Sequence, residues 1–302
     1  MGTILKVLPL FIIFIAVYFL KRGNVLRKEY NDAVSKLIVW LVAPAIITKS
    51  LAQATITPNL LYLPLIATLG VLSLLAIGYA LSHILNLKGK TRGSFIIAFP
   101  TLEGGTVGYT MMLAAFGELG LSRIVLWDFG NALIEFSLIY FFAVLLGKGA
   151  SGKAAIAKSL IQMFKMPLVW AIPAGLLLNF ANFKSPMFYG ILDVAGAGLV
   201  FLVMAMLGLE FEPKIGLFKL PVLTMAFRTI SSLAVAFGLV RLFGLTGMER
   251  AAVIIGTCLP TSIMALVFAK ENDLDTEFVS NLLALGLPYS LVFLSVLMYF
   301  IS

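Results

Sequence analysis

AFPTLEGGTVGY, residues 98–109, sits inside a segment apolar enough to cross a lipid bilayer, yet it carries a proline, three glycines and a glutamate. Pro100 has no amide to donate and its ring clashes with the preceding turn, while Gly104, Gly105 and Gly108 permit unwound backbone. Unwound backbone at membrane depth is tolerated only where it lines a cavity or is buried in protein. The stretch therefore predicts an interrupted membrane helix at a functional place; a simple kink satisfied by neighbouring helices is the alternative.

The surrounding chain supplies the membrane. Of its 302 residues 61% are hydrophobic and only 12% are charged, and the mean hydropathy is +1.06, all outside the range of soluble globular chains. A spanning helix needs about 20 mostly apolar residues, because the hydrocarbon core is about 30 Å thick and each residue rises about 1.5 Å. Ten such segments can be laid out, roughly 4–20, 34–52, 60–85, 93–117, 121–146, 164–182, 187–209, 220–243, 249–270 and 277–301. The connections are short and leave no soluble domain. The first span is followed by Lys21 and Arg22 with no small-residue cleavage site, which reads as a retained helix.

Positive loops stay in the cytoplasm, so lysine and arginine orient the chain. The odd-numbered loops hold Lys21, Arg22, Arg27, Lys28, Lys88, Lys90, Arg92, Lys148, Lys153, Lys158, Lys165, Lys214, Lys219 and Lys270, 14 in all. The other side holds Lys6, Arg123, Lys184, Arg241 and Arg250, which makes 5. Both termini are thus expected outside the cytoplasm, in a multi-pass protein of the cell's inner membrane. The net charge of +8 reflects this bias and attraction to anionic lipid heads, and is no sign of nucleic-acid binding. The single Cys258 excludes an internal disulfide.

A repeat runs through the chain at a spacing near 160 residues. LIVWLVAPAI from Leu37 resembles GLVFLVMAML from Gly198, Phe99-Pro100-Thr101 matches Leu259-Pro260-Thr261, and FSLIYFFAVL from Phe136 resembles YSLVFLSVLM from Tyr289. An odd number of spans per copy turns the second copy upside down. The expected fold is an all-α polytopic membrane protein of ten transmembrane helices in two inverted five-helix repeats, 1–147 and 148–302, with helices 4 and 9 broken and crossing. Inverted repeats with interruptions at matching places mark secondary transporters and point to the substrate site. Crossing half-helices aim positive ends at an anion and free carbonyls at a cation. Pro44 and Pro288 read as simple kinks.

Three stretches, FPTLEGGTVGYTMMLAAFGELGLSRIVLWDFGNALIEF (99–136), APAIITKSLA (43–52) and LPTSIMALVFAKENDLD (259–275), resemble the auxin efflux carrier family, whose bacterial members include malonate and malate carriers. The resemblance extends over essentially the whole chain. It implies ten helices in two inverted halves, as in the sodium/bile acid symporters, with a scaffold of spans 1, 2, 6 and 7 and a transport domain of spans 3–5 and 8–10. It also implies elevator-type alternating access and a homodimer. Many members carry Asn in the span-four break, where this chain offers Thr101 and Glu103.

Ionisable groups inside a membrane are costly and hence functional candidates. Glu103 in the first break is expected to bind a coupling H⁺ or Na⁺, or else to cap neighbouring half-helix amides. Asp128, Asn131 and Glu135 stand at i, i+3 and i+7 on one face of span five, facing the crossing or forming a structural seam. Asn281 falls opposite Asp128 in the second repeat. Arg228 lies deep enough in span eight to need a partner unless it snorkels to the surface. Lys49, His83 and Asp193 read as interfacial. The expected substrate-binding set is Pro100, Thr101, Glu103, Gly104, Gly105, Asn131, Pro260, Thr261 and Ser262, with Glu103, Asp128 and Glu135 as coupling-ion residues.

GKGASGKA, residues 147–154, imitates a nucleotide-binding loop but ends in Ala154, where a hydroxyl would be needed for magnesium, and it follows a membrane helix rather than a strand. One histidine and one cysteine make no metal cluster, and no nucleophile elbow or dinucleotide turn is present. No enzyme and no cofactor beyond a coupling ion is expected. The reading is a secondary carrier for a small organic anion, a mono- or dicarboxylate; the alternatives are a cation/proton exchanger and a membrane ligand sensor without turnover.

Overall fold

The computed structural model describes residues 2–147, 157, 160, 161, 163–211 and 219–301, and the described residues are helical with no strand. The loop GKGASGKA falls outside them but for Gly147, and so do Lys148, Lys153, Lys158 and Lys214 of the orienting count. Helix α1 covers Gly2–Arg22, α2 Tyr30–Ala52 and α3 Pro58–Ile84. Then come the half-helix α4, Gly89–Ala98, and two segments, α5 (104–116) and α6 (118–146), separated by Gly117 at φ 66° and ψ −157°. After these follow α7 (Pro167–Phe180), α8 (Pro186–Glu210), α9 (Lys219–Leu242), α10 (Gly247–Thr257), α11 (Met264–Glu271) and α12 (Thr276–Ile301).

Among the described residues six helical stretches are long and apolar enough to cross a bilayer: Tyr30–Ala52, Tyr62–Ile84, Gly104–Leu146, Pro186–Glu210, Lys219–Leu242 and Thr276–Ile301. The protein is a multi-pass membrane protein. Over 93–117 and 249–270, where the sequence predicts interrupted spans, the chain forms pairs of short helices, α4 with α5 and α10 with α11, on either side of Pro100 and Pro260. The expected span 164–182 is a 14-residue helix that starts at Pro167, a residue suited to a first turn because it has no amide to satisfy. Pro44 is accommodated differently: a π-helical turn, Ile38–Val42, precedes it, and the Ala43 amide donates to the Ile38 carbonyl five residues back.

Two sets of helices pack among themselves, and further contacts of α1 with α12 and α6, and of α2 with α6, join the sets. In one, α1 lies on the second half of α8, and α2 lies on both α7 and the first half of α8. In the other, α3 packs on α6, α9 and α10, while α10 packs on α6 and α9, and α9 on α12. Lipid offers apolar side chains as good a home as another helix does, so association rests on close approach of backbones. Glycines stand where helices meet. A Cβ at Gly175 of α7 would lie 2.8 Å from Leu51, one at Gly196 of α8 2.8 Å from Ile46, and one at Gly256 of α10 2.6 Å from the Trp127 ring. Large apolar side chains such as Phe19, Trp40, Trp170, Phe180 and Phe300 are turned outward.

Candidate functional site

The two interruptions, 99–103 and 258–263, meet in the middle of the second helix group. Every backbone group freed there needs a partner, because no water reaches a buried strand of peptide to supply one. The Glu103 amide donates to the Pro260 carbonyl at 2.9 Å, which joins one break directly to the other. Thr101 Oγ1 and Thr261 Oγ1, one from each break, both donate to the Ala98 carbonyl at 3.2 Å. The Leu102 carbonyl accepts from the Asn131 side chain at 3.1 Å. Arg228, on α9 and only 7% exposed, takes two more: its Nε donates to the Phe99 carbonyl at 2.9 Å and a terminal nitrogen to the Thr101 carbonyl at 2.6 Å. Arg228 thus turns inward to the break rather than snorkelling to the surface.

Glu103 spans the crossing with its side chain as well. Oε2 accepts from the Ile263 amide at 2.8 Å and Oε1 from Thr106 Oγ1 at 2.7 Å. Ile263 is the residue that caps the start of α11, so the carboxylate sits at the positive end of that half-helix, where a negative charge is stabilised. Asp128 lies against the first residue of α5. A Cβ added to Gly104 would lie 1.8 Å from Asp128 Oδ1, so residue 104 must be glycine for the carboxylate to reach the first turn. Asn131 Nδ2 donates to the same Oδ1 at 2.9 Å.

A cavity of about 470 Å³ opens over this arrangement. Glu103, Gly104, Gly105, Asp128, Glu135, Thr261, Ser262 and Asn281 line its inner part, and Lys28, Asn31 and Glu210 stand at its far end. Of the residues expected to bind substrate, Thr101 and Asn131 are buried behind this wall, where they satisfy backbone carbonyls, and Pro100 too is absent from the lining. Pro260 lines a separate cavity of about 30 Å³ on the Arg228 side, with Thr261 shared between the two. Glu135 lies near the Ser262 hydroxyl, and its Oε1, like Asn131 Oδ1, is buried with no hydrogen-bond donor among the described residues.

At the opposite end of α2 the same two helix groups are joined. The Lys49 side chain, 12% exposed, pairs with Glu118 Oε1 at 2.6 Å and with Asp193. Near the end of its span, Lys49 therefore ties α2 to α6 and to α8. Its partners could not be read from α2 alone: Asp193 lies 144 residues away, and Glu118, 69 residues away, is aimed by the turn at Gly117. Nearby Arg123, 4% exposed, stands 3.4 Å from Glu249, a second pair that no sequence pattern announces. His83 remains at the surface beside Arg92.

A multi-pass helical bundle with two interrupted helices joined back to back over a cavity is a transporter's architecture, and comparison with known proteins decides which kind. Residues 3–298 match the family of membrane transport proteins. The chain belongs to this family, the auxin efflux carriers. It is 26% identical over 296 residues to an uncharacterized transporter of Methanocaldococcus jannaschii, covering 95% of this chain and 94% of that one. It is 27% identical over 298 residues to an uncharacterized transporter of Methanothermobacter thermautotrophicus, covering 97% and 96%. This membrane transport protein is a transporter and not an enzyme.

Proposed function

We propose that this transporter is a secondary carrier for a small organic anion, a mono- or dicarboxylate, whose uptake is coupled to H⁺ through Glu103. The observation that carries the reading is the Glu103 carboxylate on the Ile263 amide at the start of α11. A helix N-terminus facing a cavity is an anion site, and here the chain's own carboxylate occupies it. Protonation of Glu103 removes the charge that holds it there, and a substrate carboxylate then takes the amide. One proton enters with each anion, and the cavity never has to hold the two charges side by side.

The proposal includes the architecture. Ten spans form two inverted repeats, 1–147 and 148–302, in which Pro100 corresponds to Pro260 and Thr101 to Thr261. The group of α1, α2, α7 and α8 is the scaffold, and the group that contains both breaks is the moving domain of an elevator. The packing of the helices into these two groups supports this division. With the positive loops in the cytoplasm and both termini outside, the cavity faces the cytoplasm, because it reaches Lys28 and Glu210, while Lys49 and Glu118 close the other side. The membrane is the cell's inner membrane.

A second reading, transport of an organic cation in exchange for protons, is favoured by the cavity's own charge: Glu103, Asp128 and Glu135 all line it. The two readings separate in one measurement. The melting temperature of the purified protein is followed with short mono- and dicarboxylates and with primary amines, at mildly acidic and mildly alkaline pH. A ligand of the native state raises it. The anion reading expects carboxylates to stabilise, and to do so more strongly in acid; stabilisation by amines alone, stronger in alkali, replaces it with the cation reading.

A further inference from the structure

Carbonyls released by a broken membrane helix are the groups that bind a coupling cation in many transporters. In this chain the first break presents two of them, on Phe99 and Thr101, just beyond the C-terminal end of α4. That end carries the negative pole of the half-helix. Both carbonyls are already taken by one side chain, the guanidinium of Arg228. A planar guanidinium has five donors in a fixed fork and stays charged, so it can serve several carbonyls as a metal ion would. Among the described residues no carboxylate lies within 4.0 Å of it; its charge is met by peptide dipoles.

A second observation bears on the same place. Beside the guanidinium is a cavity of about 30 Å³, lined among others by Ser232, Cys258, Thr261 and Ser290. Ser232 Oγ, one helical turn beyond Arg228, is buried with no partner among the described residues. Room for a water-sized guest and an unused oxygen therefore adjoin the two carbonyls. Trimming Arg228 would merge its own volume with this space and leave an oxygen-lined pocket at a helix C-terminus.

We propose that Arg228 is a tethered cation: it holds the crossing together from the position a free coupling ion would otherwise fill, so that this carrier needs no Na⁺ there. Arg228 is a positioning residue, acting through the backbone of the break rather than on the solute. The inference stands whichever solute is carried, and its test uses no solute.

The test compares wild-type protein with Arg228→Ala, Arg228→Met and Arg228→Lys in detergent. Melting temperature is read against rising guanidinium and Na⁺, with choline at equal ionic strength as reference. The neutral variants should melt below wild type and regain stability with guanidinium or Na⁺ along a saturating curve, as one-site linkage requires. Wild type and Arg228→Lys should show no such gain. Failure of both neutral variants to fold, while Arg228→Lys folds and ignores the added cations, also supports a required charge at this place. The proposal is overturned if the neutral variants respond to guanidinium and Na⁺ no more than wild type does, if they match its stability without added cation, or if Arg228→Lys is itself lost.

Discussion

Replacing Glu103 separates its two possible duties, because glutamine and alanine remove different things. Glutamine keeps an oxygen for the Ile263 amide, which can only donate, and turns its NH₂ toward Thr106, whose hydroxyl changes from donor to acceptor. Both contacts of the wild-type carboxylate therefore survive in neutral form. What is lost is the charge at the start of α11, about 0.3–1 kcal/mol for an ordinary helix terminus. Alanine loses that and the cap itself, about 1 kcal/mol more, together with the Thr106 bond, again about 1 kcal/mol. Glu103→Gln should thus cost at most about 1 kcal/mol of stability, and Glu103→Ala about 2–3 kcal/mol. The transport consequence runs the other way. On the proposed mechanism anion binding requires residue 103 uncharged, so wild-type uptake into liposomes should rise as pH falls, whereas Glu103→Gln, neutral at every pH, should sit on a flat profile. Uptake against pH and chemical unfolding of the same preparations test both halves. A wild-type pH profile in Glu103→Gln, or equal destabilisation by glutamine and alanine, refutes the reasoning and leaves Glu103 a structural cap.

Gly104→Ala should be among the more damaging small substitutions, since its Cβ would meet Asp128 Oδ1 at 1.8 Å; overpacking costs about 1–3 kcal/mol, and Asp128→Ala in the same chain should relieve much of that cost in a double-mutant cycle. Glu135→Gln should alter the pH dependence of uptake less than Glu103→Gln does, because Glu135 reaches the start of α11 only through the Ser262 hydroxyl, whereas Glu103 accepts from an amide there directly. Glu118→Gln removes a charge that ties the second helix group to Lys49; at about 1 kcal/mol for a partly exposed pair it should shift the populations of the two access states of the proposed elevator roughly fivefold, seen as faster maleimide labelling of Ser50→Cys in a Cys258→Ala background. Cysteines at the two termini should react with impermeant reagents from outside intact cells, and labelling only after permeabilisation would reverse the assigned orientation.

The class of the molecule and the places where its helices break were legible because both depend on local chemistry. Apolar length makes a membrane helix, and Pro100 followed by Gly104 and Gly108 unmakes one. The second break could be found because Leu259-Pro260-Thr261 repeats Phe99-Pro100-Thr101. Partners were not legible, because they are set by how distant segments fall together. Arg228 is recognisable from its depth in an apolar helix, but nothing near it in sequence says that it serves backbone carbonyls 127 and 129 residues away. Lys49 near the end of a span looks like any interfacial lysine until α6 and α8 bring it two carboxylates. Thr101 and Asn131 stand at the crossing but not in the cavity lining, and the depth that separates lining a cavity from supporting its wall is a matter of a few ångströms that spacing along a chain does not record.

The single carbonyl of Ala98, which receives a threonine hydroxyl from each break, has a mechanical consequence. With the Glu103 amide on the Pro260 carbonyl, the Thr261 bond to Ala98 rivets the two interruptions at two points with almost no slack. Prying either loop away from the other would strand buried hydrogen-bonding groups on both, at a cost of about 1–3 kcal/mol apiece. A gate made by flexing one loop is therefore expensive, whereas displacing the riveted pair as one piece breaks none of these bonds. Such a crossing suits a cargo frame better than a door: in the proposed elevator it would travel as one piece and stay closed on the way.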